Sequence, residues 1–497
     1  MKTKTNKTDI VFINPGDKKQ VFQGLGRNLA GIEPPYWIAV MAAFLRNKGF
    51  KVAIVDANAE NWTPEETLKK VKEYNPLLAA VIVYGAQPSA STQNMSISGK
   101  ICGALKAGTK AKIAIGGLHP TALPKRTLTE ESVDFVIEGE GPFTLTALLE
   151  KLKEGDQDYS KVPGLWYWEN NKIKNNPRAP LAKNLDEMLP IAAWDLLPME
   201  KYKAHDWHSM DDIDHRSPYA AVYTSLGCPY SCAFCCINTP FGRSGIRYRS
   251  PESVVSEIEF LVKKYHIRNI KIIDELFVLD EKHYMTIVDL LIKRLINKGY
   301  SLNFWAYARI DSVNFKNLLK MKKAGINWLC LGIESGSEIV RDGVNKKINR
   351  KDIIKVVRKI QDAGIYVMGN YIFGLPDDNM ETMQETLNLA LELNTEWANF
   401  YCTMAYPGSK LYETAITEGW ELPKEWYGYS QHSYETLPLS TKYLSSKEVL
   451  KFRDEAFNKY FENPKYLKMI EKKFGSKALV HIKDMTKIKI KRKFLGD

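Results

Sequence analysis

Two stretches of this 497-residue chain alternate short apolar runs with amphipathic segments of helical period, and that alternation restricts the fold more than any other feature. Parallel strands need a crossover between them, and a helix is the usual one. The first stretch runs through "DIVFINP", "KVAIVDA", "LLAAVIVYG", "KIAIGG" and "VDFVIEGEGP", with helices expected at "PYWIAVMAAFLRNKG", "TPEETLKKVKEYN" and "STQNMSISGKICGALKAG". The second runs from "YAAVYTSLGC" through "NIKIIDE", "LNFWAYARID", "WLCLGIESG" and "YVMGNYIFGLP" to "WANFYCTMAYPGS", with helices such as "PESVVSEIEFLVKKY" between. The chain therefore reads as α/β. An N-terminal doubly wound, Rossmann-like parallel sheet (1–155) precedes a linker with a hairpin at "LWYWENNKIKNN" (156–215). A partial (β/α)6 TIM-type barrel (216–420) and a small helical C-terminal region (421–497) follow. Both architectures bind ligands at the carboxyl ends of their strands.

The longest apolar run, "LLAAVIVYGA", is far below the roughly 18 residues that cross a bilayer, and the start of the chain does not read as a signal peptide. The expectation is a cytoplasmic protein without a transmembrane segment. A net charge of +12 would suit nucleic acid or an anionic surface. It is read instead as a Lys-rich surface, and the basic "KIKIKRK" tail at 487–493 as solvated, with contact to a membrane surface left open.

Four of the seven cysteines fall in "SLGCPYSCAFCC" at 225–236, directly after the first barrel strand. In a reducing compartment such a cluster points to metal or catalysis rather than disulfides. Cys228, Cys232 and Cys235 follow C-x3-C-x2-C on a loop with Gly227 and Pro229, which can aim three thiolates at one place. Thiolates suit iron–sulfur clusters and zinc. A structural zinc site usually takes a second pair, which is missing, and Cys236 should diverge from its neighbour. Cys236, Cys330 and Cys402 read as buried packing residues.

The spacing, with Phe234 before the last cysteine, resembles the signature of radical S-adenosylmethionine (SAM) enzymes. So do "IDELF", "ARID", "GIESGS", "IFGLPDD" and "YPGSKLY" at the later strand ends. The resemblance covers about residues 217–415. It implies a [4Fe–4S] cluster on Cys228, Cys232 and Cys235 whose open iron takes SAM. An electron from an external reductant such as flavodoxin or ferredoxin then yields a 5′-deoxyadenosyl radical. It also implies SAM contacts from Phe234, Arg309, Glu334, Ser335 and Ile372, although Asn370 and Asp377 depart from the family's usual Gly and Glu.

The N-terminal segments "INPG", "IGGLHPTALPK" and "VDFVIEGEGP" look like the cobalamin-binding domain that fronts one class of this family. Candidates for the cobalamin rim are Tyr84, Gly85 and Ser89 after the third strand, Gly116 and Gly117 after the fourth, and Gly139 and Glu140 after the fifth. The two glycines 116 and 117 are expected to let the backbone approach a bulky ligand. No D-x-H-x-x-G motif is present, so either cobalt would lack a protein imidazole or the domain has lost the cofactor, the first being favoured, and His119 is read as lining a loop.

The leading expectation is thus a cobalamin-dependent radical SAM methyltransferase acting on an unactivated carbon of a small molecule, lipid or sugar-type substrate. The same cofactors could serve oxidative cyclisation or rearrangement without methyl transfer. A zinc-stabilised binding protein is the non-enzyme alternative. A methylthiotransferase for transfer RNA would need further N-terminal cysteines where only Cys102 stands. No individual catalytic residue is assigned. Trp426, Tyr427 and Tyr429 are read as core or as a cap over the cleft.

Overall fold

The computed structural model describes residues 8–26, 30–84 and 88–497. Its first sheet contains β1 (Ile10–Asn14), β2 (Val52–Asp56), β3 (Leu78–Val83), β4 (Lys112–Gly117), β5 (Phe135–Ile137), β6 (Leu165–Glu169) and β7 (Lys172–Asn175). The order is β2-β1-β3-β4-β5-β6-β7, parallel through β5. The inner strands are continuous apolar runs because both faces are covered by helices. Helix Tyr36–Asn47 buries ten successive residues from Tyr36 to Leu45 on one side. Helix Pro64–Tyr74 opens on a capping box between Thr63 and Glu66 and stops at left-handed Asn75. After β2 the chain crosses back over β1 to β3, so the sheet winds in opposite directions from β1 and β3. That reversal leaves a crevice at their carboxyl ends.

The expected hairpin forms at β6–β7, turning on Asn170 and Asn171, both with positive φ. It pairs antiparallel with β5 and so continues the first sheet beyond residue 155. The rest of 156–215 is not a loose connection. Trp194, Tyr202 and Trp207 are buried in the common core, and Tyr202 donates to Asp56 at the end of β2 at 2.7 Å.

β8 (Tyr219–Val222) opens the second sheet. A short ribbon of β9 (Ser225–Leu226) and β10 (Arg247–Tyr248) flanks the cysteine loop. β11 (Asn269–Ile272), β12 (Asn303–Ala308), β13 (Ile326–Glu334), β14 (Tyr366–Phe373) and β15 (Trp397–Cys402) follow. The six strands β8 and β11 to β15 pair in parallel and in chain order, leaving β8 and β15 as edges of an open barrel.

Helices Ser446–Phe461 and Pro464–Thr486 pack on the β15 edge, where Phe461 meets Trp397 and Tyr460 meets Phe400. The four lysines of the basic tail are exposed, as expected of a solvated segment, but Arg492 is not. Arg492 is 1% exposed and bonds Asp454 through Nε and Nη2 at 2.9 Å each, as well as Thr436 and the carbonyls of Ser433 and Gln431. Five guanidinium donors matched to clustered acceptors fix the tail, which charge counting along the sequence could not reveal. Among the described residues no helix is long and apolar enough to cross a membrane.

Candidate functional site

The cysteine loop is held from several sides. Asn238 accepts from the Cys228 N–H at 3.1 Å and donates to the carbonyls of Cys228 and Tyr230. Cys235 N–H closes a turn on the Cys232 carbonyl, and Ala233 is tied to Val344 and Leu411. Gly227 sits at φ +91°, where a Cβ would lie 2.4 Å from the Gly245 carbonyl oxygen, so glycine is required there. Cys228, Cys232 and Cys235 stay partly open, whereas Cys236 is buried with Leu118 and Ile237. Burial pushes the Cys228 thiol up to about 11, and those of Cys232 and Cys235 also upward, so a metal would have to displace protons to bind. Among the described residues no three His, Cys, Asp or Glu side chains converge tightly enough for a single ion. Cys232 lies within electrostatic reach of both Cys228 and Cys235, and three thiols on one loop without a second cysteine pair suit an iron–sulfur cluster better than a structural zinc. Cys330 and Cys402 are buried, as expected.

Phe234 and Ile372 each pack against the cluster of Val340, Val344 and Leu375, an apolar patch next to the loop. Arg309, just past β12, is bidentate to Asp311 at 2.9 and 3.0 Å and lies 3.8 Å from the Tyr230 ring centroid. Glu334, the last residue of β13, has φ +64° at a bulge against β14 and is ion-paired with Lys346. A left-handed glutamate at a strand end is a strained conformation of the kind found at ligand sites. Ser335 is fully buried, its hydroxyl within 3.1 Å of Thr386 Oγ1 and accepting from Ser337 N–H. Asn370 bonds Asn399, and Asp377 pairs with Lys442.

At the first sheet, Tyr84, Gly116, Gly117, Gly139 and Glu140 line one small cavity together with Trp37, closed by Pro240 and Phe241 from the cysteine side. Gly85 and the side chain of Ser89 lie outside the described residues. Gly117 is needed for a reason other than ligand approach. Its φ is +127°, and a Cβ would fall 2.3 Å from the Val83 carbonyl of the adjacent strand. Glu140 is committed to an ion pair with Arg247 at 2.5 Å, joining the two sheets' domains. His119 is buried, 3.2 Å from Thr92 and covered by Trp426, and burial lowers it to about 3. Trp426 also lies under Arg126, while Tyr427 donates to Asp17.

A cleft between the two halves is expected from the domain order, but the residues that line it are not legible in the sequence. One cavity of about 160 Å³ reaches from Asn14 and Tyr84, at the carboxyl ends of β1 and β3, to Tyr223 and Ile273 of the barrel. A second, of about 300 Å³, enters the open side of the barrel past Trp305, Tyr307, Trp397 and Tyr401. Phe22, Glu33, Gln93 and His205 border both, making one chamber. Lys271 points inward from β11, bonded to Glu33 at 3.0 Å and over the Trp305 ring at 4.7 Å. Glu275 has no hydrogen bond among the described residues. Burial pushes its carboxyl up to about 8, with Lys271 opposing and Asp274 adding to the rise. Cys228, Cys235, Tyr84 and Tyr223 all lie within its electrostatic reach. The signal available in the sequence was charge inside apolar strand runs, as in "NIKIIDELF".

An open parallel barrel with a three-thiol loop at its first strand, faced across a chamber by a doubly wound sheet, defines a class of two-cofactor radical enzymes. The model of the radical SAM superfamily matches residues 222–390, and that of the B12 binding domain matches residues 23–149. An uncharacterised methyltransferase of Pyrococcus horikoshii is 31% identical over 437 residues, covering 87% of this chain and 89% of its own. The anaerobic magnesium-protoporphyrin IX monomethyl ester cyclase of Rubrivivax gelatinosus is 24% identical, covering 92% and 78%. The solved structure of the cobalamin-dependent SAM radical enzyme OxsB, with aqua-cobalamin and SAM bound, shares the fold at a TM-score of 0.70 and 16% identity, covering 96% and 72%. The chain belongs to the radical SAM superfamily, in the branch that carries a B12 binding domain.

Proposed function

We propose that this protein is a cobalamin-dependent methyltransferase of the radical SAM type, transferring a methyl group to an unactivated carbon of a small-molecule substrate. The observation that carries the reading is the cavity between the two halves, lined by Asn14 and Tyr84 at strand ends of the first sheet and by Tyr223 and Ile273 at strand ends of the second. When bound, a [4Fe–4S] cluster with SAM supplies a carbon radical that abstracts hydrogen, and cobalamin supplies a methyl carrier.

In this reading Cys228, Cys232 and Cys235 hold the cluster and leave one iron for SAM. Phe234 and Ile372 offer a flat apolar wall for the adenine. Arg309 and Glu334, each pre-set by its own ion partner, face the methionyl end. Ser335 acts indirectly, by fixing the loop that presents Glu334. Tyr84, Gly116, Gly117 and Gly139 border the cobalamin, and Glu140 locks that rim to the barrel through Arg247. Residues 1–155 form the cobalamin-binding part, 156–215 the connection, 216–420 the barrel and 421–497 the helical cap that closes the chamber against water. An external one-electron donor completes the system.

Oxidative ring closure is the second reading, favoured by the similarity to the cyclase over 92% of the chain. Anaerobic reconstitution with iron, sulfide and hydroxocobalamin tests both. About four irons per chain, a bound-cobalamin spectrum, 5′-deoxyadenosine, S-adenosylhomocysteine and a product heavier by one methyl group are expected. Deoxyadenosine without S-adenosylhomocysteine would favour ring closure, and one zinc per chain without cobalt would overturn both.

A further inference from the structure

The barrel end of the chamber is lined by two cations, Lys271 and Arg453, and two carboxylates, Glu33 and Asp206. Arg453, on helix Ser446–Phe461, lines the chamber wall while only 5% exposed. Its Nε donates to the Phe400 carbonyl at 2.8 Å and its Nη1 to Asp454 at 2.7 Å. Asp454 is already held by Arg492 at 2.9 Å through both carboxylate oxygens. Two guanidiniums thus share one carboxylate. The Asp497 carboxylate accepts from the Arg492 backbone N–H instead. The Nη2 of Arg453 has no hydrogen bond among the described residues and is not among the fully enclosed orphan atoms, so it retains some accessible surface on a residue that lines the chamber.

His432 lines the same wall, and its Nδ1 is enclosed without a partner. Burial, with Arg453 and Arg492 alongside, holds it neutral. Around this polar end the walls are aromatic: Trp397, Phe400, Tyr401 and Phe457 on the β15 side, and Trp305 opposite. Elsewhere in the chamber Lys271 already has Glu33.

We propose that Arg453 is a specificity-determining residue that binds an oxyanion of the substrate, a carboxylate or a phosphate-type group, while the aromatic walls take the apolar body. The substrate class is a small aromatic or otherwise apolar acid. A guanidinium edge left open in an enclosed wall matches such a group in geometry and charge, and aromatic panels add contact area at little entropic cost. The inference rests on the chamber being the substrate space of the proposed enzyme.

Calorimetric titration of the reconstituted holoenzyme with indole-3-acetate and with the uncharged indole-3-acetamide tests it, with iron and cobalt measured on the same preparation. The acid should bind at least about tenfold tighter than the amide, the ratio that one charge-assisted hydrogen bond gives. R453Q should erase that ratio, and R453K, which keeps a charge beside Asp454, should retain part of it. Phenylphosphonate in parallel distinguishes a phosphate-type site from a carboxylate site. Equal binding of acid and amide, binding of neither, or a ratio that survives R453Q overturns the proposal. The anion could also be the nucleotide phosphate of cobalamin. If R453Q weakens uptake of hydroxocobalamin but not of cobinamide, which lacks that phosphate, the substrate assignment falls. Protein that takes up neither iron nor cobalt would instead refute the proposed function itself.

Discussion

One buried carboxylate ties together the two halves of the molecule, and removing it has a calculable cost. Glu257, fully buried on helix Pro251–Tyr265, accepts from Arg249 Nη1 at 2.7 Å, Tyr36 OH at 2.8 Å, Ala192 N–H at 2.9 Å and Trp194 Nε1 at 3.0 Å. Those donors come from the first sheet's helix, the 156–215 segment and the barrel. Glu257→Leu leaves a buried guanidinium without its counter-charge, worth about 3–5 kcal/mol. Three neutral donors also lose their acceptor at about 1 kcal/mol or more each. The sum, at least about 6 kcal/mol, rivals the whole stability of an ordinary domain. Glu257→Gln keeps one acceptor oxygen but turns an amide donor toward the others, for about 3 kcal/mol. The double variant R249M/E257L should recover much of the loss, because replacing both members of a buried pair is far cheaper than orphaning one. Thermal and urea midpoints of the cofactor-free protein are the measurement, since a chain of several domains does not justify a two-state free energy. An unchanged midpoint in E257Q, or a double variant no better than E257L, would refute the reasoning.

Single Ala variants of Cys228, Cys232 and Cys235 should each lose the brown absorbance and most bound iron on reconstitution, whereas C236A should keep both. Gly227→Ala forces a Cβ against Gly245 in the left-handed region at about 1–3 kcal/mol. Iron loading should drop while the global melting midpoint moves little, and normal loading would mean the turn tolerates a side chain. Glu275 titrates near 8 when folded but near 4.3 when unfolded. Between those values the unfolded chain ionises first, so stability falls as pH rises from about 4 to 8 and levels off above. E275Q should flatten that decline in the cofactor-free protein, and parallel melting curves against pH would show the carboxyl is not the cause. Arg492→Ala should cost about 3 kcal/mol by removing one guanidinium from a buried acceptor cluster, and an unaltered melt would return the tail to the solvent.

The residues visible in the sequence as candidates are largely those that the backbone delivers by local geometry. The cysteine loop, Phe234, Arg309 and Glu334 all fall within a few residues of a strand's carboxyl end, and strand ends were legible from the apolar runs. Legibility failed where a side chain's meaning depends on a partner far along the chain. Ser335 stands in the right motif but spends its hydroxyl on Thr386. Glu140 stands on the right rim but is taken by Arg247. Arg492 is one cation among several in "KIKIKRK", yet it alone is surrounded by acceptors from residues 431–454.

By itself, the sequence determined the class of architecture, the succession of strands and helices along the chain, and three cysteines at a spacing suited to a metal cluster. Hydrophobic period and cysteine spacing are local quantities, read within a turn or a strand. Only the tertiary structure decided what fills the gap between the two halves: a chamber whose aromatic walls, Lys271–Glu33 pair and half-satisfied Arg453 come from segments hundreds of residues apart. Burial and charge balance are sums over neighbours in space, so they take their values only once the chain has packed.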